Sequence, residues 1–181
     1  MADKTADLLI EIICEDIPAR MQARSASDLA RLFAEALAAA NLPHGQMHSF
    51  VAPRHLALYV DGVVAKQQDS ILEKRGPRVD APGLAINGFL KSTGLNRDQL
   101  IAEKTPKGTF LFARTKIKGA ATATLLPVMI CDILANFPWP KSQRWGATSF
   151  RWVRPLHRVN VLFGGARLEG ALDMGGCEVA L

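Results

Sequence analysis

The chain has 181 residues, of which 49% are apolar, 22 are basic and 17 are acidic, giving a net charge of +5. That is enough apolar material for a proper core in one domain, or in one domain with a small appendage. The longest apolar runs, 8–14 and 125–131, are interrupted by Glu11 or Pro127 and are far too short to span a bilayer, which excludes a transmembrane helix.

The first seven residues carry both signs of charge and lead into no cleavage pattern of small residues, so the protein is expected in the cytoplasm, away from membranes. Cys14, Cys131 and Cys177 are odd in number and far apart, which fits neither a disulfide framework nor a zinc site. They are expected to be reduced and mostly buried. His44 and His48 are four apart, but Pro43 and Gly45 break the helix that would put them on one face, so no metal site is expected.

In chain order, residues 8–14 read as a buried strand, apolar except for Glu11, leading to Pro18, which is placed to open a helix. Glu11, Glu15 and Asp16 make a small acidic cluster at this junction, where a helix N-terminus stabilises carboxylates. Capping outweighs acid–base chemistry there. From 19 to 40, Met21, Leu29, Leu32, Phe33, Ala36, Leu37 and Ala40 recur at three and four, predicting an amphipathic helix that residues 41–45 terminate. Strands follow at 46–52 and 55–63, parted by Pro53-Arg54, with Leu56, Leu58 and Val60 alternating against Ala57, Tyr59 and Asp61. A short strand at 71–78 ends in a basic turn.

Residues 83–93 predict a short helix capped by Gly94, and 96–102 a second helical turn or two opened by Asn96. Lys107-Gly108 turns the chain into a strand at 109–117. A helix at 121–136 is predicted from Leu125, Leu126, Met129, Ile130, Ile133 and Leu134, ending before Pro138 and Pro140. A strand at 159–163, a Gly164-Gly165 turn and a hairpin partner at 167–172 come next, and 175–181 reads as a turn and the start of another strand. The expected fold is α+β, with mixed or antiparallel sheets flanked by the helices 19–40 and 121–136 and a possible boundary near Pro82.

The stretch 137–157 stands apart. It holds all three tryptophans, Trp139, Trp145 and Trp152, interleaved with Lys141, Arg144, Arg151 and Arg154, and Pro138, Pro140 and Pro155 forbid a continuous helix. No acidic residue lies between Asp132 and Glu169. Guanidinium groups pair with phosphates and indoles stack on bases, so RNA contact is one reading. Tryptophans anchoring a core beneath a surface ring of arginines is the other. Within the stretch, Trp145 is expected to anchor the fold, and Trp139, between two prolines, to be exposed for stacking or subunit contact. No Walker-type glycine loop, Gly-x-Ser-x-Gly elbow or His-x-Glu with a later Cys-x-x-Cys is present, and no catalytic residue is expected.

Several stretches together resemble a known family. Leu9-Ile10-Glu11-Ile12-Ile13-Cys14-Glu15-Asp16-Ile17-Pro18-Ala19 is similar to the opening of the β subunit of bacterial glycyl-tRNA synthetase. Ala52-Pro53-Arg54-His55-Leu56-Ala57-Leu58, Lys74-Arg75-Gly76-Pro77, Gly88-Phe89, Lys107-Gly108, Pro140-Lys141-Ser142-Gln143-Arg144-Trp145-Gly146 and Arg154-Pro155-Leu156-His157 resemble later motifs in family order. The sequence departs from the family pattern at Cys14, usually a small residue such as threonine, at His55, usually arginine, and at Arg158, usually tryptophan. The resemblance implies a non-catalytic part in ATP-dependent attachment of glycine to tRNA(Gly), within an assembly of two α and two β subunits. ATP and magnesium would be used at the α subunit, with no cofactor bound by this chain. Family members continue into an HD-type helical domain and an anticodon-binding domain, both absent from these 181 residues. The candidates for RNA or subunit contact are Lys141, Arg144, Arg151, Arg154 and Trp139, with Arg54 and Arg75. A stand-alone RNA-binding or protein-interaction module is the alternative.

Overall fold

The computed structural model describes residues 4–106, 108–175 and 178–181, so Lys107 of the expected Lys-Gly turn, and Cys177, lie outside the described residues. The chain begins with β1 (Thr5–Cys14), α1 (Ala19–Ala39), β2 (Met47–Ala52) and β3 (His55–Val64). Next come β4 (Ser70–Arg78), α2 (Gly83–Thr93), a 3-10 turn at Arg97–Gln99, β5 (Leu100–Thr105) and β6 (Gly108–Ile117). It ends with α3 (Thr122–Ala135), β7 (Leu156–Phe163), β8 (Ala166–Arg167), β9 (Ala171–Asp173) and β10 (Glu178–Ala180). The fold is α+β and every strand pair among the described residues is antiparallel.

Two compact units divide the chain: Met1–Gln67 with Ala120–Leu181, and the inserted Gln68–Gly119. Position 82 lies inside the inserted unit, so the divisions fall on either side of it. The first unit is stitched shut where the insertion leaves and returns. Gln67 donates its backbone N–H to Ala120 O at 2.9 Å, and the buried Thr122 hydroxyl donates to Val64 O at 2.5 Å.

In the first unit a five-stranded sheet has the order β2-β3-β1-β7-β8. Alternation along β1 sends Leu8, Ile10, Ile12 and Cys14 to one face, where each is fully buried. Register carries this row across the sheet, with Leu58 and Val161 opposite Ile10 and Leu56 and Val159 opposite Ile12. Leu29, Phe33 and Leu37 of α1 and Leu126, Ile130 and Leu134 of α3 join the same core. Each such side chain withdrawn from water contributes about 1.5–3 kcal/mol.

The strand-to-helix junction differs from its expected role. Pro18 is the N-cap residue of α1, its first turn contains no acidic residue, and no side chain caps it. Glu15 is directed elsewhere. At the other end Leu42 N–H bonds Leu37 O and Asn41 N–H bonds Ala38 O, with Asn41 at φ 51 and Leu42 buried. This is the left-handed helix stop that asparagine tolerates.

The inserted unit is a three-stranded sheet of order β4-β6-β5 with α2. Gly94, at φ 67, ends α2, and Asn96 opens only the 3-10 turn, its N–H bonding Gln99 Oε1 at 2.8 Å. The helix expected at 96–102 is thus cut short, because 100–105 pairs with β6 as a strand. The expected hairpin partner at 167–172 is also divided. Ala166 and Arg167 pair with β7 and Leu168 N–H bonds Val161 O, whereas Ala171–Asp173 pairs with β10.

Candidate functional site

Three prolines mark where the site forms. Pro18 follows β1, Pro53 precedes β3 and Pro155 precedes β7. Antiparallel pairing of β3 and β7 on either side of β1 brings these ends to one place. Backbone hydrogen bonds close the junction: Cys14 N–H to Arg54 O at 3.1 Å, Glu15 N–H to Pro155 O at 2.9 Å, and Ile17 N–H to Pro53 O at 2.6 Å.

Glu15 is the hub of this junction. Its Oε1 accepts from Arg54 Nη2 at 2.9 Å and lies 2.6 Å from His157 Nε2. The His157 hydrogen bond and, less strongly, the Arg54 charge hold the Glu15 carboxyl below its ordinary range. A depressed carboxyl stabilises the fold above the usual carboxylate range, and the contribution disappears as pH falls through the lowered value. On the same strand, Glu11 Oε1 faces His55 Nε2 at 3.3 Å, outside hydrogen-bond alignment, and Asn160 Nδ2 reaches Glu11 Oε2 at 3.5 Å. The sequence offers Glu11 and Glu15 for helix capping rather than for a site, and His157 is not among its contact candidates. The prolines at three strand ends were the visible signal, but only the register of β1 with its neighbours turns them into a cluster.

The aromatic and basic stretch descends into this junction and divides by chemistry. Trp152 is fully buried, with ring centroids 5.1 Å from Phe137, 5.0 Å from Trp139 and 6.0 Å from Phe150. Trp139 is half-buried in the same cluster, 4.7 Å from Phe137, rather than exposed as expected. Trp145 is half-buried too, edge-on to Phe150 at 6.0 Å, so Trp152 occupies the anchoring place expected of it. Paired backbone bonds between Gln143 and Trp152 hold the two limbs of the stretch together.

The cations face outward. Lys141, Arg144 and Arg151 are exposed and Arg154 is half-buried. Arg151 clasps the opposite limb, Nε to Ser142 Oγ at 3.2 Å and Nη2 to Ser142 O at 3.1 Å, and Arg154 Nη1 donates to Val153 O at 2.9 Å. Lys141 and Arg144 have no ion-pair partner among the described residues. Arg75 belongs to the inserted unit, its guanidinium 3.8 Å from the Phe110 ring centroid, whereas the other candidates all belong to the first unit.

The remaining groups offer little covalent chemistry. Cys14 is buried beneath Trp152, and burial pushes its thiol up to about 11. Cys131 is half-buried, its thiol donating to Ala171 O at 3.4 Å. Among the described residues no three His, Cys, Asp or Glu side chains converge to hold a metal ion, and no helix is long and apolar enough to cross a membrane. The arrangement is a cationic rim supported by a packed aromatic layer and a Glu-centred ion cluster, suited to holding an anionic surface.

Comparison with known proteins bears on the family alone. The family described as Glycyl-tRNA synthetase beta subunit matches residues 8–176. The glycine–tRNA ligase β subunit of Rhodospirillum centenum is 44% identical over 174 residues, covering 96% of this chain and 24% of the relative. That of Dinoroseobacter shibae is 46% identical over 153 residues, covering 84% and 21%, and that of Phenylobacterium zucineum 46% over 166 residues, covering 92% and 24%. The chain spans about a quarter of the length of these relatives. Similarity of this extent along almost the whole sequence shows that the chain belongs to the glycyl-tRNA synthetase β subunit family.

Proposed function

We propose that this chain serves the attachment of glycine to tRNA(Gly) as a non-catalytic part of a β subunit, binding tRNA and docking an α subunit in a cytoplasmic assembly of two α and two β chains. ATP and magnesium are used at the α subunit, which carries the chemistry. The observation that carries the reading is the division within 137–157. Its aromatic side chains close inward on Trp152 while Lys141, Arg144 and Arg151 stay exposed on that rigid support. A fixed array of unneutralised cations is what phosphates need, and family membership supplies the class of RNA.

The test titrates labelled tRNA(Gly) transcript with the chain across a salt series and, separately, asks whether the chain copurifies with an α subunit. Affinity should fall steeply with salt, and Lys141→Gln with Arg144→Gln should make the slope shallower by about one per phosphate no longer neutralised. The chain mixed with glycine, ATP and tRNA should form no charged product. An unchanged slope in both variants would remove RNA contact from this rim, and copurification would then assign it to subunit docking.

A further inference from the structure

The inserted unit, Gln68–Gly119, holds ten basic and five acidic residues, whereas the rest of the chain holds twelve of each. All of the net +5 charge therefore belongs to the insertion. Its two faces use that charge differently. On one face β4 and β6 place Glu73 opposite Arg114 and Arg75 opposite Phe112. Arg114 is saturated there by Glu73 and Glu103, each at 2.6 Å, and Lys116 by Asp69 at 3.1 Å. That face is a closed ladder of alternating sign.

The other face is open, and no carboxylate is among the described residues that line it. A groove between α2 and the sheet is lined by Leu72, Lys74, Ser92, Thr93, Thr115 and Ile117. Lys91 immediately precedes Ser92 on the exposed last turn of α2. Lys104 belongs to the same face of the sheet, since it pairs opposite Thr109, two and four residues before Leu111 and Ala113. Ser92 Oγ and Thr93 Oγ1 donate to Phe89 O at 2.8 and 3.0 Å, which commits their protons and leaves their oxygens free to accept. Leu72 and Ile117, 46% and 47% exposed, form apolar walls.

We infer that this groove of the inserted unit is a second RNA-binding surface, in which Lys74 and Lys91 neutralise backbone phosphates while Ser92 and Thr93 accept hydrogen bonds from ribose 2′-hydroxyls. Cations without carboxylates fit a polyanion, hydroxyl oxygens needing a donor fit ribose rather than deoxyribose, and exposed aliphatic walls fit sugar and base faces. The inference rests on the RNA reading proposed above but concerns different residues. It predicts a preference for RNA over DNA that phosphate contacts alone would not give.

The experiment measures binding of tRNA(Gly) transcript and of DNA of the same sequence by the chain and by Lys74→Gln/Lys91→Gln, between about 50 and 200 mM salt, the range over which counterion release is usually read. Lys116→Gln on the paired face is the control, and thermal melts check folding. The double variant should show a salt slope shallower by about 0.7 for each single-strand phosphate that it no longer neutralises, and the control no change. Lys91→Gln alone, at an exposed helix end, supplies the slope should the double variant melt early. Ser92→Ala should narrow the preference for RNA over DNA. Binding by the parent chain with an unchanged slope in the Lys variants overturns the groove and leaves the RNA reading standing. No binding by the parent chain at the lowest salt overturns both. Unaltered RNA binding with lost retention of an α subunit overturns the inference in favour of a protein-docking groove.

Discussion

Tryptophan placement shows what a residue's neighbours in sequence can and cannot say. Three indoles lie within fourteen positions, 139 to 152, and flanking prolines and glycines suggested Trp145 for the anchor and Trp139 for the surface. The roles are decided by the return of the chain. Trp152 follows the turn at Gly146, at φ 55, and pairs with Gln143, which carries its ring beneath Phe137 and Trp139. Among the described residues no nitrogen or oxygen partner meets its buried indole nitrogen, which lies toward the Cys14 thiol, so packing does most to hold it. Trp152→Ala is expected to cost about 3–5 kcal/mol, because the whole ring leaves a void in an interior that cannot fully collapse. Trp145→Ala, removing a half-exposed ring, should cost no more than about half of that. Chemical denaturation of the two variants decides the order, and equal losses would show that Trp145 shares the anchoring. The cations were legible because charge drives them outward whatever the fold. Glu15 was not, because its partners lie 39 and 142 residues away and only strand register joins them.

Among elements, periodic ones were readable and paired ones were not. The three-and-four repeat of α1 and the alternation in β3 depend on local geometry, and both occur within a residue or two of their expected bounds. The stretch 100–105 carries no such period. It becomes a strand because β6 offers it a partner, and a helix there would leave that edge unpaired. The inserted unit also shows why two separate motifs occur together. A Cβ built on Gly76 would stand 2.4 Å from Cε1 of Phe89, so the ring lies directly on the bare backbone of β4. The Lys-Arg-Gly-Pro and Gly-Phe stretches are two halves of one helix-on-strand contact. Gly76→Ala must displace the Phe89 ring, and with it the seat of α2, at a cost of about 1–3 kcal/mol from overpacking. Circular dichroism melts of this variant and of Gly88→Ala, where a Cβ meets nothing within 4 Å, separate this clash from a loss of backbone freedom. A Gly76 variant as stable as the parent would mean that the ring has another place to go.

For the whole molecule the important asymmetry is between charge and core. The insertion carries the net charge, yet its buried apolar residues, among those described, are only Ile86, Leu111, Phe112 and Ala113. Every other described apolar side chain that is buried belongs to one continuous cluster in the first unit. The sequence points to excess charge between Asp132 and Glu169 because that stretch lacks acids, whereas the insertion intersperses its acids and hides its excess until strand pairing sorts charges by face. Among the described residues, six of the eight large apolar side chains left exposed, Ile71, Leu72 and Ile117 included, also lie in the insertion, so surface that would stabilise a core remains in water. Local opening free energy follows buried apolar contact, so the insertion should open well below the cost of opening the five-stranded sheet. Hydrogen exchange of the chain should therefore show amides of β4, β5 and β6 exchanging at least about tenfold faster than those of β1, β3 and β7, equivalent to about 1.4 kcal/mol of local stability. If RNA occupies the groove beside α2, saturating tRNA should slow exchange in the insertion of the parent chain and do so less in Lys74→Gln/Lys91→Gln, since a ligand stabilises what it binds by mass action. Equal protection of both units in the free chain would show that the insertion draws stability from contacts beyond its own core, and the charge-rich unit would then be no more labile than the sheet.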